Sequence, residues 1–198
     1  MIHRPCTLIL GIGNILWADE GFGVRAIEAF HARYETDDDV LVLDGGTQGL
    51  YLVQFVEACD QLLVFDAIDY ALPPGTLRVV RDEEVPRFTG AKKMSLHQTG
   101  FQEVLSAADL LGRYPARLAL IGCQPLDLED WGGPLTAPAR AAIDPALSAA
   151  LRVLSEWGVA CRPRAEQDMG AARLLANDID YHAYERRAPS GVADELGD

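Results

Sequence analysis

Lysine is nearly absent from this sequence. Among 198 residues only the adjacent Lys92 and Lys93 carry it, and the formal net charge is −13. That balance argues against nucleic acid or an anionic membrane as a partner. Cysteine is sparse and dispersed: Cys6, Cys59, Cys123 and Cys161 form no C-x-x-C pair, which speaks against a zinc knuckle or a thioredoxin-type site. Cys6 and Cys123 lie in apolar runs and read as small core residues, and no disulfides are expected. No apolar run reaches the ~20 residues needed to span a bilayer. The start, MIHRPCTLIL, passes straight into an apolar strand with neither an apolar leader core nor a small-residue cleavage site. A cytoplasmic protein is the expectation.

What is present describes a globular chain. It is 49% hydrophobic and 24% charged, which suits one domain with a tail. Short β-rich runs alternate with helical stretches, the pattern of an α/β fold. The expected architecture is a twisted, largely parallel sheet of about five strands with helices on both faces. Strands are expected at Thr7 to Gly11, Val40 to Leu43, Leu62 to Phe65, Thr76 to Arg81 and Arg117 to Gly122. Helices are expected near Gly21 to Tyr34, Gln48 to Cys59, Thr99 to Leu111 and Ala137 to Trp157, with Pro145 breaking or restarting the last. Pro86 to Leu96 reads as a loop. Acids cluster at Glu35, Asp37, Asp38 and Asp39, most simply as a solvated loop. Residues 1–164 read as the domain and residues 165–198 as an acidic, partly disordered appendage, with Asp168 to Ala176 a candidate helix.

The stretch LILGIGNILWADEGFG, Leu8 to Gly23, resembles a phosphate-binding loop but departs from it. A dinucleotide loop reads G-x-G-x-x-G, and here the third glycine is replaced by Leu16. A Walker loop needs G-K-[ST], and no lysine is near. Asp19 and Glu20 stand at the helix start, where a phosphate's charge would have to sit. No nucleotide cofactor is expected. Asp19 suits a helix cap, and Glu20 suits the positive end of the helix. The glycines let the loop pass tightly over the carboxyl end of a strand, the edge at which open α/β sheets bind ligands.

Two further residues belong to that edge. Asp66 follows the apolar LLVF strand, and His97 lies in the polar segment KKMSLHQTG before a helix. Each alone fits a bland role, a turn cap or a solvated loop residue. Together with Glu20 they offer carboxylate oxygens and an imidazole nitrogen, a set able to hold a transition metal with positions left open. Spacing alone does not bring them together. His3, His31 and His182 are weaker candidates. Lys92 and Lys93, beside His97, read equally as solvated or as facing an acidic surface.

With these segments in view, the chain resembles the [NiFe]-hydrogenase maturation proteases. The motifs are G-x-G-N-x-L-x-x-D-E-G-x-G at Gly11 to Gly23, D-G-G-T at Asp44 to Thr47 and D-A-I-D at Asp66 to Asp69. S-x-H-Q-x-G follows at Ser95 to Gly100, then I-G-C-Q-P at Ile121 to Pro125. No motif residue departs from the family pattern. I-G-C-Q-P and the following L-E-D-W-G-G look most like the proteases of uptake, membrane-associated hydrogenases.

The resemblance implies a nickel-dependent endopeptidase that removes the C-terminal extension of the large-subunit precursor. It maps the metal-contacting and catalytic residues onto Glu20, Asp66 and His97. The nickel arrives with the substrate, and the enzyme works as a monomer. Peptide hydrolysis then proceeds by Lewis-acid help from the metal, or with Asp44 or Glu20 as general base on water. Two other readings stay open: a metallohydrolase carrying its own zinc, though the chain has no H-E-x-x-H, and a chaperone that checks the nickel without cutting.

Overall fold

The computed structural model describes residues 6–85, 96–165, 174, 175, 179 and 184. Its centre is a five-stranded sheet. The strands are β1 (Thr7–Ile12), β3 (Val40–Gly46), β4 (Gln61–Ala67), β5 (Leu77–Arg81) and β6 (Arg117–Cys123), in the order β3-β1-β4-β6-β5. The first four are parallel, and β5 closes one edge antiparallel to β6. The short strands β2 (Tyr34–Thr36) and β7 (Cys161–Pro163) form a separate antiparallel ribbon. The ribbon was not foreseen, because three residues give no periodicity to read.

Strands buried on both faces read as continuous apolar runs, and their side chains alternate between two cores. Ile9, Leu63, Phe65, Ala119 and Ile121 point toward α1 (Phe22–Arg33) and the long C-terminal helix Ala137–Glu156. Leu8, Leu10, Leu62, Val64, Leu118 and Leu120 point the other way. There they meet α2 (Val53–Val56) and α3 (Leu96–Leu110) through Val56, Phe101, Val104 and Leu105. Helices therefore cover both faces, as expected.

Several elements depart from the sequence expectation. The helix expected over Gln48 to Cys59 is a 3-10 turn, Gly49–Leu52, followed by the single turn of α2. Pro145 does not break the C-terminal helix, α4, which runs unbroken from Ala137 to Glu156. The carbonyl deprived of its partner belongs to Ala141, and both Ala141 and Pro145 are exposed, so water can reach it. Ala142, Ile143, Ala146 and Leu147 anchor the buried face on either side. Cys6 is half-buried outside the core, its thiol donating to Asp60 at 3.1 Å, whereas Cys123 is buried as expected. Residues 86–95 of the expected loop and most of the candidate helix at 168–176 lie outside the described residues.

Candidate active site at the carboxyl edge of the sheet

The loop after β1 crosses the carboxyl edge in close contact with its neighbours. Gly13 has φ +140°, and a side chain there would begin 1.9 Å from the Glu20 carbonyl oxygen. A side chain on Gly23 would lie 2.2 Å from the Ile12 carbonyl oxygen and 2.3 Å from that of Phe65. Only glycine lets α1 start directly against the ends of β1 and β4. The preceding 3-10 turn, Ala18–Gly21, thereby lies against β4 and carries Glu20, half-buried, beside the strand that bears Asp66.

Asp19 has a different task from the cap expected of it. It is fully buried and caps neither the turn nor α1. Its Oδ2 accepts from the N–H of Leu126 at 2.8 Å, the N–H of Asp127 at 3.2 Å and the Thr136 hydroxyl at 2.8 Å. Its Oδ1 accepts from the Thr136 N–H at 2.8 Å. The Thr136 hydroxyl, at the N-cap position of α4, is thus spent on Asp19 rather than on its own helix. This carboxylate fastens the segment after β6 to the loop after β1.

Asp66 lies inside β4 rather than beyond it, and is 2% exposed. Its Oδ1 accepts from the Ala67 N–H at 2.8 Å. Alternation with Leu62 and Val64 directs it to the face covered by α3. It pairs across the sheet with Gly122, where a side chain would begin 2.1 Å from the Tyr70 hydroxyl. Tyr70 fills that space, and burial, then the nearby Asp66, push its phenol above the ordinary tyrosine range. The following loop is held by buried Gln124. Its Oε1 accepts from the N–H of Tyr70 at 2.7 Å and Leu72 at 3.2 Å, and its Nε2 donates to Asp69 at 3.1 Å.

His97 falls in the first turn of α3, not in a loop. α3 packs on the turn Gly49–Leu52 beyond β3, and Asp109 near its end lines a cavity with Asp82 at the other edge, so its 15 residues run antiparallel to the four parallel strands. That length is about 22 Å, close to the span of a seven-residue strand, so its first turn lies level with the carboxyl edge. It does so on the face to which Asp66 points. The His97 side chain is outside the described ones. Among the described residues no three His, Cys, Asp or Glu side chains form a metal-ready cluster.

Asp44 faces the other way. Its partner in β1 is Gly11, which abuts Gly23 and Ile27, so Asp44 lies on the α1 side of the sheet. Its Oδ1 accepts from the Gly46 N–H at 2.9 Å. Burial raises its carboxyl above the usual range, and the Gly46 N–H and the charge of Arg25 offset part of the rise. Burial, with Asp19 adding to it, pushes the Cys123 thiol up to about 12, so it is no thiolate nucleophile at neutral pH. The site-building roles of Asp19, Tyr70 and Gln124 are not legible in the sequence, although Asp19 and Gln124 both stand inside the family motifs.

This geometry can be set beside known proteins. A family model described as hydrogenase maturation protease matches residues 24–153. The chain belongs to the hydrogenase maturation protease family. It is therefore a peptidase. It is 71% identical over 186 residues to the hydrogenase expression/formation protein HupD of Rhizobium leguminosarum bv. viciae, covering 93% of this chain and 91% of that one. It is 46% identical over 159 residues to the hydrogenase 2 maturation protease of Escherichia coli, covering 79% of this chain and 95% of the relative. The solved hydrogenase maturating endopeptidase HybD of E. coli superposes with a TM-score of 0.76 at 44% identity, over 80% of this chain and 97% of that one. The family fold is the mostly parallel sheet described above.

Proposed function

We propose that this protease removes the C-terminal extension of a [NiFe]-hydrogenase large-subunit precursor, of the uptake type, once nickel is in place. The observation that carries the reading is the glycine-enforced seating of the Glu20 turn against β4, the strand that bears Asp66. Glu20 and Asp66 offer hard oxygen donors and His97 an imidazole, a mixture that suits a borderline divalent metal such as nickel. The metal belongs to the substrate, and its recognition aligns the peptide bond beyond it.

Asp44 is the general base in this scheme. It stands near the carboxyl end of β3 on the α1 side of the sheet, the side on which α1 follows the Glu20 turn. Burial holds its carboxyl above the usual range, and together these support it as the acceptor of a water proton. Glu20 and Asp66 then keep to metal recognition, and substrate nickel supplies positive charge near the scissile carbonyl. Buried Cys123 and Cys59 take no covalent part, both thiols being pushed up to about 12, chiefly by burial. The reaction takes place on a monomer in the cytoplasm.

The test is cleavage of nickel-loaded precursor by Glu20→Gln, Asp66→Asn and His97→Ala, read by intact mass. Each variant should lose at least about a hundredfold in rate, the lower range for removal of one positioned catalytic group. Wild-type rates from all three folded variants would end the assignment.

A further inference from the structure

The segment after β6 and the loop after β1 are joined more tightly than surface loops usually are. Trp17 and Trp131 bridge as an isolated antiparallel pair, with ring centroids 4.9 Å apart in an edge-to-face arrangement. The Gly132 N–H donates to the Leu16 carbonyl at 2.8 Å, and the Asp19 N–H to that of Asp127 at 3.1 Å. The four bonds to the Asp19 carboxylate lock the same junction. Yet the side chains it presents are apolar and in solvent: Leu126 is 59% exposed, Trp131 56% and Leu16 39%. Acids flank them in the chain, with Asp127, Glu129 and Asp130 in the same segment of a protein whose net charge is −13. Leu50 and Tyr51, on the turn after β3, are also exposed, so apolar groups stand on both sides of Asp66 in the strand order.

A rigid, exposed aromatic–aliphatic patch with a charged rim has the composition of a binding hot spot, since pre-ordered rings lose little entropy on docking. It adjoins the turn bearing Glu20. We infer that Leu16, Leu126 and Trp131 form the platform on which the precursor docks, through an apolar surface segment flanked by basic residues. The inference rests on the function proposed above and adds where the substrate body sits. The apolar centre fixes affinity, and the acidic rim steers a basic partner to it.

The experiment is steady-state cleavage of nickel-loaded precursor by Trp131→Ser and Leu126→Ser, with melting curves and the solution mass of each protein. Leu110→Ser is the control, because Leu110 is apolar and, at 89%, even more exposed, but ends α3 at the opposite edge of the sheet. The expected result is KM raised about tenfold or more by Trp131→Ser and several-fold by Leu126→Ser. kcat should stay within about twofold, with Leu110→Ser like wild type. An unchanged KM in both variants overturns the platform, as does an equal change in the control. A wild-type dimer that Trp131→Ser splits, without a change in KM, would assign the patch to a second copy and also overturn it. If wild type leaves the precursor uncut, the proposed function falls. Direct binding then decides the platform: capture of precursor by wild type but not by Trp131→Ser upholds it, and equal capture ends it.

Discussion

Asp19 and Asp44 are both acids near the carboxyl edge, and their environments set opposite expectations. Asp19 accepts from three N–H groups and one hydroxyl. An Asn there turns an NH2 group toward at least one of those donors, leaving buried polar groups unmatched. A loss of roughly 2–4 kcal/mol is expected for Asp19→Asn, visible as a lower urea midpoint. Asp44 carries the reverse sign. Its folded carboxyl holds a proton at higher pH than in the unfolded chain, whose reference is 3.8. The stability that protonation brings is full below that reference and is lost as pH rises through the folded value. Asp44→Asn has no charge to bury, so it should melt above wild type at neutral pH, with the gap closing as pH falls toward 3.8. The same variant should cut precursor at least about a hundredfold more slowly if Asp44 is the base. Higher Tm with unchanged cleavage would remove Asp44 from the chemistry.

At the scale of elements, the start of α1 and the middle of α4 are the informative places. Gly23→Ala pushes a methyl group into two backbone carbonyls, neither the end of a flexible side chain. A cost of about 3 kcal/mol or more is expected, together with loss of cleavage as the Glu20 turn lifts from β4. Pro145→Ala restores the bond to the Ala141 carbonyl in an exposed stretch, so stability should rise by roughly 1–3 kcal/mol with cleavage unaffected. The elements were legible in proportion to how local their causes are. β1, β4 and β6 are continuous apolar runs and were read within a residue or two. The turns at residues 49–56 and the β2–β7 ribbon were not, because each depends on contacts made elsewhere in the chain. Pro145 suggests a break because a proline's cost is local, whereas the packing of Ala142, Ile143, Ala146 and Leu147 that outweighs it is not.

For the whole molecule, the carboxyl edge was legible and its internal wiring was not. The glycine motif and the strand end point to Glu20 and Asp66 at that edge, and there they stand, Glu20 on the turn against β4 and Asp66 one residue from the end of β4. Asp19 was read as a local cap, while its real partners lie 107 to 117 residues away. Such a bond leaves no trace in spacing. Tyr70 is similar, since the glycine that makes room for it sits two strand segments later, in β6. The strongly acidic charge also sets an expectation at this scale. Association with a basic-flanked precursor should weaken as salt rises, because exposed charges are screened beyond about 8–10 Å at physiological ionic strength.

The central claim is that substrate-bound nickel licenses the cut. Full-length protein mixed with nickel-loaded and with nickel-free precursor, each followed by intact mass, tests it most directly. Loss of a single C-terminal peptide from the loaded sample alone is the predicted result. Equal cleavage of both would contradict it and leave a peptidase that needs no nickel from its substrate.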